Sequence, residues 1–205
     1  MTTRPDGLTV EALAGAAIEP VIADLARLRV EVFREFPYLY DGDLDYERKY
    51  LRKFLAVPES TVVVARDRDR VIGAATALPL ARSEDELQAP FRAAGIPVED
   101  VYYFGESVLE RGYRGRGLGH AFFDGREARA RALGFTITAF CAVERPADHP
   151  LRPAGYRPHD VFWTKRGYTK RPDLRATFSW RDVGAAGESA KPMVFWLRRK
   201  EVEQR

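Results

Sequence analysis

A glycine-rich stretch over residues 106–120 carries the residue types and spacing best suited to chemistry, and it reads ESVLERGYRGRGLGH. Its centre runs from Arg114 to Gly119. Glycines let a backbone approach a ligand closely, and the first N–H groups of a following helix attract an anion. Arg114 and Arg116 add positive charge at the same point. The stretch therefore predicts a phosphate-binding loop at the start of a helix.

Two familiar phosphate motifs do not fit this loop. A P-loop would continue with Gly-Lys-Ser/Thr, which is absent, and the third glycine falls one position too early for the dinucleotide pattern G-x-G-x-x-G. A plain glycine-rich turn is the alternative. The context favours a binding loop, because an apolar strand precedes it and an amphipathic helix and a second strand follow.

Few other residues suit acid–base or metal chemistry. Glu106 lies just before the apolar Val108, and its carboxylate could accept a proton. The single Cys141 excludes an intramolecular disulfide and a cysteine-built zinc site, and we expect it to be a buried strand residue. The three histidines do not show the H-x-x-x-H spacing of a metal site. We therefore expect no metal.

Hydrophobic periodicity predicts the elements that position these residues. Strands are expected at 8–13, 61–65, 71–80, 101–109, 135–143, 175–180 and 193–197, with the first at the sheet edge. Helices are expected at 20–36, from Asp43 to 55, at 84–94, 118–133 and 159–166. The strand–helix–strand unit over residues 101–143 predicts a parallel crossover, and the whole order predicts a mixed α/β fold.

Two finer expectations concern the helices. Ser83 and Glu86 form a capping-box pattern at the start of the third helix. The fourth helix places its apolar residues on one predicted face, which comprises Leu118, Ala121, Phe122, Gly125, Ala128, Ala132 and Leu133.

Composition sets the broad class. The 205 residues are 45% apolar and 31% charged, which is typical of one globular domain over 1–205, with residues 1–7 and 200–205 expected as flexible ends. No apolar run or signal segment points to a membrane or to export, so we expect a cytoplasmic protein. A net charge of +3, despite 27 arginines among 33 basic residues, disfavours a nucleic-acid partner.

The loop resembles that of the GCN5-related N-acetyltransferase (GNAT) superfamily. Members carry a Q/R-x-x-G-x-G/A loop between a strand and a helix, and Arg114 to Gly119 match it. The run from Phe162 to Tyr168 is similar to the family's next landmark, an aromatic residue followed by a Gly-aromatic pair. The resemblance covers roughly residues 8–200. It implies a mixed, mostly antiparallel sheet with a parallel, splayed strand pair and flanking helices.

The resemblance also implies a function. It implies transfer of an acetyl group from acetyl-CoA to the amine of a small-molecule or amino-acid-like acceptor by direct attack. The pyrophosphate would lie on the loop and the pantetheine arm beside the strand. The implied cofactor-binding residues are Val108, Leu109, Arg114, Gly115, Arg116, Gly117, Leu118 and Gly119.

Candidate catalytic residues follow from the proton balance, since the amine must lose a proton and the thiolate must gain one. Many relatives place a Glu where Glu106 lies, so it is the candidate base; a structurally paired carboxylate is the alternative. Many relatives also place an acidic Tyr in the helix that here carries Trp163, which has no phenolic proton. Tyr156, His159 or water could replace it.

Acceptor residues are expected where the chain leaves the strand next to the acetyl site. The irregular segment 144–159 carries Glu144 and Asp148, which could pair with an ammonium, and Arg145, which could pair with an acid group. Tyr38 could line the same site from the segment between the first two helices.

Two rival functions remain open from sequence. One is a non-catalytic acyl-CoA-binding or regulatory module, which Trp163 favours. The other is a nucleic-acid-binding protein, which the balanced charge disfavours. Dimers are common in families similar to this one, so a homodimer is also left open.

Overall fold

Eight strands form one mixed sheet in the computed structural model, which describes residues 2–200. The strands are β1 (Thr2–Thr3), β2 (Leu8–Leu13), β3 (Thr61–Asp67), β4 (Arg70–Pro79), β5 (Val101–Leu109), β6 (Ile137–Val143), β7 (Thr169–Arg181) and β8 (Glu188–Arg199). Their order across the sheet is β1-β2-β3-β4-β5-β6-β8-β7. Neighbours are antiparallel except β5 and β6, which are parallel. The predicted sheet class is confirmed, although β7 and β8 are longer than expected.

Five α-helices flank the sheet: α1 (Ile22–Phe33), α2 (Leu44–Leu51), α3 (Asp85–Ala93), α4 (Leu118–Ala132) and α5 (Asp160–Lys165). Asp43 caps α2 as predicted, since its carboxylate accepts from the Tyr46 N–H at 2.8 Å. The capping box predicted for α3 is wrong. Glu84 occupies the cap position without a side-chain bond, and the Ser83 hydroxyl instead donates to the Leu80 carbonyl at 2.7 Å.

The two faces of the sheet pack against different helices. Along β3, Val62 and Val64 pack in the cluster that contains α1 and α3 residues, whereas Val63 packs with Leu118 and Phe122 of α4. This alternation is what a strand buried on both faces produces.

The buried face of α4 differs from the predicted one. It comprises Leu118, Phe122, Phe123, Arg126, Glu127 and Ala130. Ala128 and Ala132 are exposed instead. The prediction was wrong because it counted alanines as core and excluded charged residues, while two large aromatic rings decide which side faces the sheet.

The parallel strands β5 and β6 separate partway along their length. They pair only at Val101–Tyr103 and Ile137–Ala139. Beyond that point β5 continues to Leu109 beside β4, and β6 continues to Val143 beside β8. A bulge between Ala75 and Ala77 of β4 faces the same part of β5. The splayed pair that the resemblance implies is therefore present, and it opens a gap in the middle of the sheet.

The expected loose N-terminal end contains a short strand. Thr2 and Thr3 pair with Val10 and Thr9, so β1 and not β2 is the sheet edge. The predicted end at 200–205 lies, beyond Lys200, outside the described residues. Within residues 2–200, none of the helices has the length and apolarity to cross a membrane.

Candidate functional site

A cavity of about 770 Å³ opens at the gap between β5 and β6 and reaches the start of α4. Gly115, Gly117 and Gly119 line one end of it, and Phe140 and Trp163 line another part. This volume is in the range of cofactor pockets. We call it the first cavity.

The glycine loop has the backbone geometry of an anion site. Gly115 and Gly117 both have φ of +79°, a conformation that L side chains rarely adopt. No side chain caps α4, so its first N–H groups keep their donor capacity toward the cavity that Gly117 and Gly119 line. These residues fit a pyrophosphate. The fit rests on backbone donors and does not require the two arginines.

The two predicted arginines differ in placement. Arg114 lines the first cavity, but its guanidinium donates to both oxygens of Glu35, at 2.8 and 3.2 Å, and to the Leu109 carbonyl. Arg116 lies over the Tyr113 ring at 5.3 Å and does not line the cavity. A third cation, Arg4, donates to the Arg116 carbonyl. Arg4 lies in the segment that sequence assigned to a loose end, so no local signal pointed to it.

Of the other predicted cofactor residues, one lines the first cavity and two are buried in the hydrophobic core. Leu109 lines the first cavity. Val108 and Leu118 are buried in the hydrophobic core, with exposed fractions of 0% and 1%. Their contribution to a ligand can therefore come only from the backbone. Binding roles for the loop residues stay predictions.

A second cavity of about 580 Å³ lies on the α1–α3 side of the sheet. Its walls come from α1, α2 and α3, from β5, β6, β7 and β8, and from the segment after α1. Eight of the lining side chains are aromatic: Phe33, Tyr38, Tyr40, Tyr46, Tyr50, Tyr103, Phe178 and Trp180. The residues that line both cavities are Phe33, Tyr38, Gly105, Glu106 and Cys141. The two cavities therefore meet at the β5–β6 gap.

Glu106 lies at this junction. It is 6% exposed, and its Oε2 lies 2.7 Å from Nη1 of Arg29. Its Oε1 is buried and has no hydrogen-bond partner among residues 2–200. Both sequence alternatives are thus partly present, since the carboxylate is structurally paired through one oxygen and has the other available.

Arg29 joins Glu106 to a second buried carboxylate. Its Nε donates to Glu47, which is 0% exposed and whose Oε1 has no partner in the described chain. Burial alone would lower the pKa of Arg29, but Glu106, Tyr50 and Glu47 raise it above its ordinary value. The guanidinium therefore stays charged. We call Arg29, Glu47 and Glu106 the buried triad.

Arg126 supports the strand that carries Glu106. It is 2% exposed and its Nη1 donates to the backbone carbonyls of Thr76 and Glu106, at 3.4 and 3.3 Å. Its guanidinium lies 4.4 and 4.8 Å from the Phe104 and Phe123 ring centroids. Burial lowers the pKa of Arg126 to about 10, so it remains a cation at neutral pH. It ties the bulge of β4 to β5 beside the first cavity.

Arg29, Glu47 and Arg126 were not among the residues predicted from sequence, although one signal could have found them. Each is a charged residue on the buried side of a helix: Arg29 is one turn from Leu25 and Phe33, and Arg126 is one turn from Phe122. Charged residues on such faces are rarely buried without partners.

Three candidate proton donors line the first cavity. Burial raises the pKa of Tyr156, whose ring packs on Phe36 at 4.7 Å. His159 is exposed overall, but partial desolvation of its imidazole, together with nearby Arg114, lowers its pKa. Burial also raises the pKa of Tyr38, which alone of the three lines both cavities. Trp163 packs against Phe140 and has no proton to offer.

The predicted acceptor residues after β6 are mostly engaged with the protein itself. Glu144 lines the first cavity and pairs with Lys170 and Arg175 at 2.9 and 2.7 Å. Burial would raise the pKa of Glu144, but these two cations lower it. Asp148 lines neither cavity. Their roles as substrate ligands stay predictions that the contacts do not favour.

Arg145 uses all three guanidinium nitrogens on the segment after α1 and on Asp182. It donates to the Pro37 and Tyr38 carbonyls, at 2.8 and 2.7 Å, and to both oxygens of Asp182. We predicted a ligand for a substrate acid group, but these donors are already satisfied. Arg145 instead positions the loop that carries Tyr38.

Cys141 also lies at the junction. It is 8% exposed, as predicted for a buried strand residue, and its Sγ lies 3.1 Å from the Tyr103 hydroxyl. Burial raises the pKa of the Cys141 thiol to about 11, so it is protonated at neutral pH and is a poor nucleophile. Among residues 2–200 no group of three His, Cys, Asp or Glu side chains could hold a metal ion.

The chain is similar to known acetyltransferases. The model of the acetyltransferase (GNAT) family matches residues 25–153. That span contains the glycine loop, Glu106 and the strands that separate. No curated protein matches the chain significantly.

Several solved structures share the fold. A GCN5-related N-acetyltransferase from Kribbella flavida is 20% identical, covers 96% of this chain and 100% of its own, and superposes with a TM-score of 0.59. A ribosomal-protein-alanine N-acetyltransferase from Brucella melitensis is 12% identical, with coverages of 93% and 99% and a TM-score of 0.60. A Salmonella typhimurium protein described as an acetyltransferase, solved with its cofactor acetyl-CoA, is 15% identical, with coverages of 96% and a TM-score of 0.57.

Proposed function

Because the chain belongs to the acetyltransferase (GNAT) family, we propose that it acetylates the primary amine of a small molecule by direct attack of the amine on acetyl-CoA. The chain is an acetyl-CoA-dependent N-acetyltransferase, and the acceptor and the proton transfers are what the proposal adds. The observation that carries the proposal is the position of Glu106, whose unpartnered oxygen lies where the two cavities meet.

The first cavity suits acetyl-CoA and the second cavity suits the acceptor. The loop over 115–119 would hold the pyrophosphate with backbone N–H groups, and the unpaired edges of β5 and β6 would flank the pantetheine arm. Acetyl-CoA supplies an acyl thioester, whose carbonyl carbon is the point of attack.

Glu106 is the proposed base. An amine is mostly protonated at neutral pH and must lose a proton before it can attack. Arg29 holds Oε2 of Glu106, which leaves Oε1 to accept the proton of the bound ammonium. Arg126 fixes the backbone of Glu106 from the opposite side. The carboxylate is therefore positioned before the acceptor arrives.

Tyr38 is the proposed source of the proton for the leaving thiolate. It lies at the junction with Glu106, and its raised pKa keeps the phenolic proton in place at neutral pH. Tyr156 also keeps its proton but lines only the first cavity. The lowered pKa of His159 leaves a neutral imidazole, which is a weak acid at neutral pH. Tyr156 and His159 stay the alternatives.

Transfer of isotopically labelled acetyl groups to a panel of primary amines tests this proposal. We expect an acetylated amine whose formation depends on both acetyl-CoA and Glu106. A protein that binds acetyl-CoA, shown by a rise in melting temperature, yet acetylates no amine in the panel would favour the non-catalytic acyl-CoA-binding module.

A further inference from the structure

The buried triad carries an excess of negative charge at the floor of the second cavity. Two carboxylates, Glu47 and Glu106, share the single guanidinium of Arg29. Each carboxylate has one buried oxygen without a hydrogen-bond partner in the part of the chain that the structure describes. Buried charges are expensive unless they are paired. The triad therefore has one more negative charge than positive. Of its two carboxylates, Glu106 is the one that lines the cavity, and its Oε1 is available to a cation.

The aromatic walls of the cavity suit a cation as well. The guanidinium of Arg29 lies 4.7 Å from the Tyr50 ring centroid, and Lys53 Nζ lies 3.8 Å from the same centroid. Further rings, those of Tyr38, Tyr46 and Trp180, line the cavity. Faces of Tyr and Trp rings attract ammonium groups and also pack against apolar carbon.

The second cavity offers nothing to an acid group. Arg29 is the only basic residue among the described lining residues, and both Glu47 and Glu106 already engage it. The other charged lining residues are acidic. Glu84 pairs with Lys53 at 2.6 Å, and Glu86 has no ion pair among residues 2–200. A carboxylate or phosphate here would therefore meet like charges and no free donor cation.

We propose that the second cavity selects acceptors that carry a primary ammonium on an apolar body and that lack an acid group. This proposal rests on the acetyl transfer proposed above and names the substrate class. The ammonium completes the buried triad through Oε1 of Glu106, and the apolar body lies among the tyrosines. A free amino acid is rejected because its carboxylate has no partner. This differs from the amino-acid-like acceptor that sequence left open.

Ligands that share an aromatic body and a primary amine, and that differ in the group beside the amine, test the selectivity. 2-Phenylethylamine, phenylalaninamide and phenylalanine share the aromatic body and the amine, and only phenylalanine is negatively charged beside it. We expect calorimetric titration of the CoA-bound protein to give affinities for the first two that exceed that for phenylalanine by about 10²-fold, since like charges in an interface cost several kcal/mol. The amide controls for bulk at the α-carbon. Equal or tighter binding of phenylalanine, or no binding by any of the three, would overturn the proposal.

An added cation in the cavity should weaken the selectivity. Ser179 is exposed on β7 and lines the second cavity, so Ser179→Arg places a guanidinium there without disturbing the core. We expect the preference against phenylalanine to fall by about tenfold or more. Thr169→Arg, at an exposed position of the same strand outside both cavities, is the matched control and should leave it unchanged. An unaltered preference in the Ser179→Arg variant contradicts the assignment to this cavity.

Binding and turnover separate the two proposals. If amines bind with the expected preference but receive no acetyl group, the direct-attack function fails and the ligand class stands. If phenylalanine is bound and acetylated at least as well as 2-phenylethylamine, acetyl transfer stands and the ligand class fails.

Discussion

The two cavities that meet at Glu106 are built from different parts of the chain. The end of the first cavity proposed for the pyrophosphate consists of consecutive backbone units, with left-handed glycines at 115 and 117 and an uncapped helix start. The second cavity consists mainly of side chains from three helices, four strands and the segment after α1, with few glycines. In the proposed function, the first cavity binds the pyrophosphate, which is the same whatever the acceptor. The second cavity binds the acceptor, which is the part of the reaction that can vary.

This difference separates the effects of substitutions. In the glycine loop an added side chain should lower acetyl-CoA affinity whatever its chemistry, because the proposed binding groups are backbone N–H groups that the ligand must approach closely. In the second cavity the charge and shape of each side chain matter, and the backbone contributes little. Variants of the first kind should therefore alter cofactor affinity, and variants of the second kind should alter acceptor use.

The largest effect is expected for Gly117→Glu. A side chain at φ +79° is strained, and its carboxylate would repel the pyrophosphate, so acetyl-CoA affinity should fall by about 10³-fold, as like-charge contacts costing several kcal/mol imply. The rise in melting temperature that acetyl-CoA causes should disappear. Gly112→Glu, just before the same loop with open space around its Cβ and an ordinary φ, is the control. Equal binding by Gly117→Glu and the control would remove the loop assignment.

Glu106→Gln should remove the proposed base where the two cavities meet and leave both cavities formed. Loss of a positioned base lowers kcat by about 10²-fold or more. Acetyl-CoA affinity should stay nearly the same, since the loop is untouched. Glu110→Gln is the control: Glu110 follows β5, pairs with Arg27 and Arg70, and lines neither cavity. Undiminished turnover in Glu106→Gln would make this carboxylate structural.

Tyr38→Phe tests the proposed proton donor at the point where the two cavities meet. We expect kcat to fall by about tenfold, because water can deliver part of the missing proton, and the alkaline limb of the pH–kcat profile to shift. Tyr156→Phe and His159→Gln, which alter residues of the first cavity only, should keep kcat within about twofold. A larger loss in either of these variants than in Tyr38→Phe would move the acid role to that residue.

The smallest effect is expected for Asp182→Asn. This substitution weakens the contact that helps Arg145 hold the segment carrying Tyr38. Burial would raise the pKa of Asp182, but Arg145 and Lys191 lower it. A lowered carboxyl pKa stabilises the fold above the unfolded pKa of about 3.9 and ceases to do so as pH falls through the folded pKa. Melting temperature at pH 7 should therefore drop by about 3–6 °C, with the difference shrinking below about pH 4.

Asp173→Asn is the matched control for that measurement. Asp173 also has a pKa lowered by an arginine, Arg171, but the pair is exposed. Exposed pairs contribute little, so the melting temperature should change by less than about 1 °C. Equal shifts in the two variants would show that Arg145 does not hold the loop through Asp182.

Sequence could predict what is local. The glycine loop, the Asp43 cap and the β5–α4–β6 order each lie within short segments whose residue types determine them. Glu106 was expected to be the base, and the two strands were expected to splay, only because the resemblance implied both. The end of the chain that carries Arg4 offered no pattern, since a two-residue strand is too short to show a period.

The second cavity could not be predicted in the same way. Its parts lie between residues 29 and 193, and their meeting depends on the order of the strands. Tyr38 was expected near the acceptor. The other acceptor residues were predicted in the irregular segment 144–159, because the local sequence shows no partners for its charged side chains. In the structure, Arg145 and Glu144 satisfy groups far away in sequence, a pairing that no local pattern shows.

In the buried triad, the charge arrangement proposed to bind cationic amines also lowers the stability of the fold. Glu47 and Glu106 repel each other around one guanidinium, so replacing Glu47 with glutamine would leave a balanced pair of Arg29 and Glu106 and relieve that repulsion. Selection for thermal tolerance alone would favour this exchange, whereas selection for capture of cationic amines would oppose it.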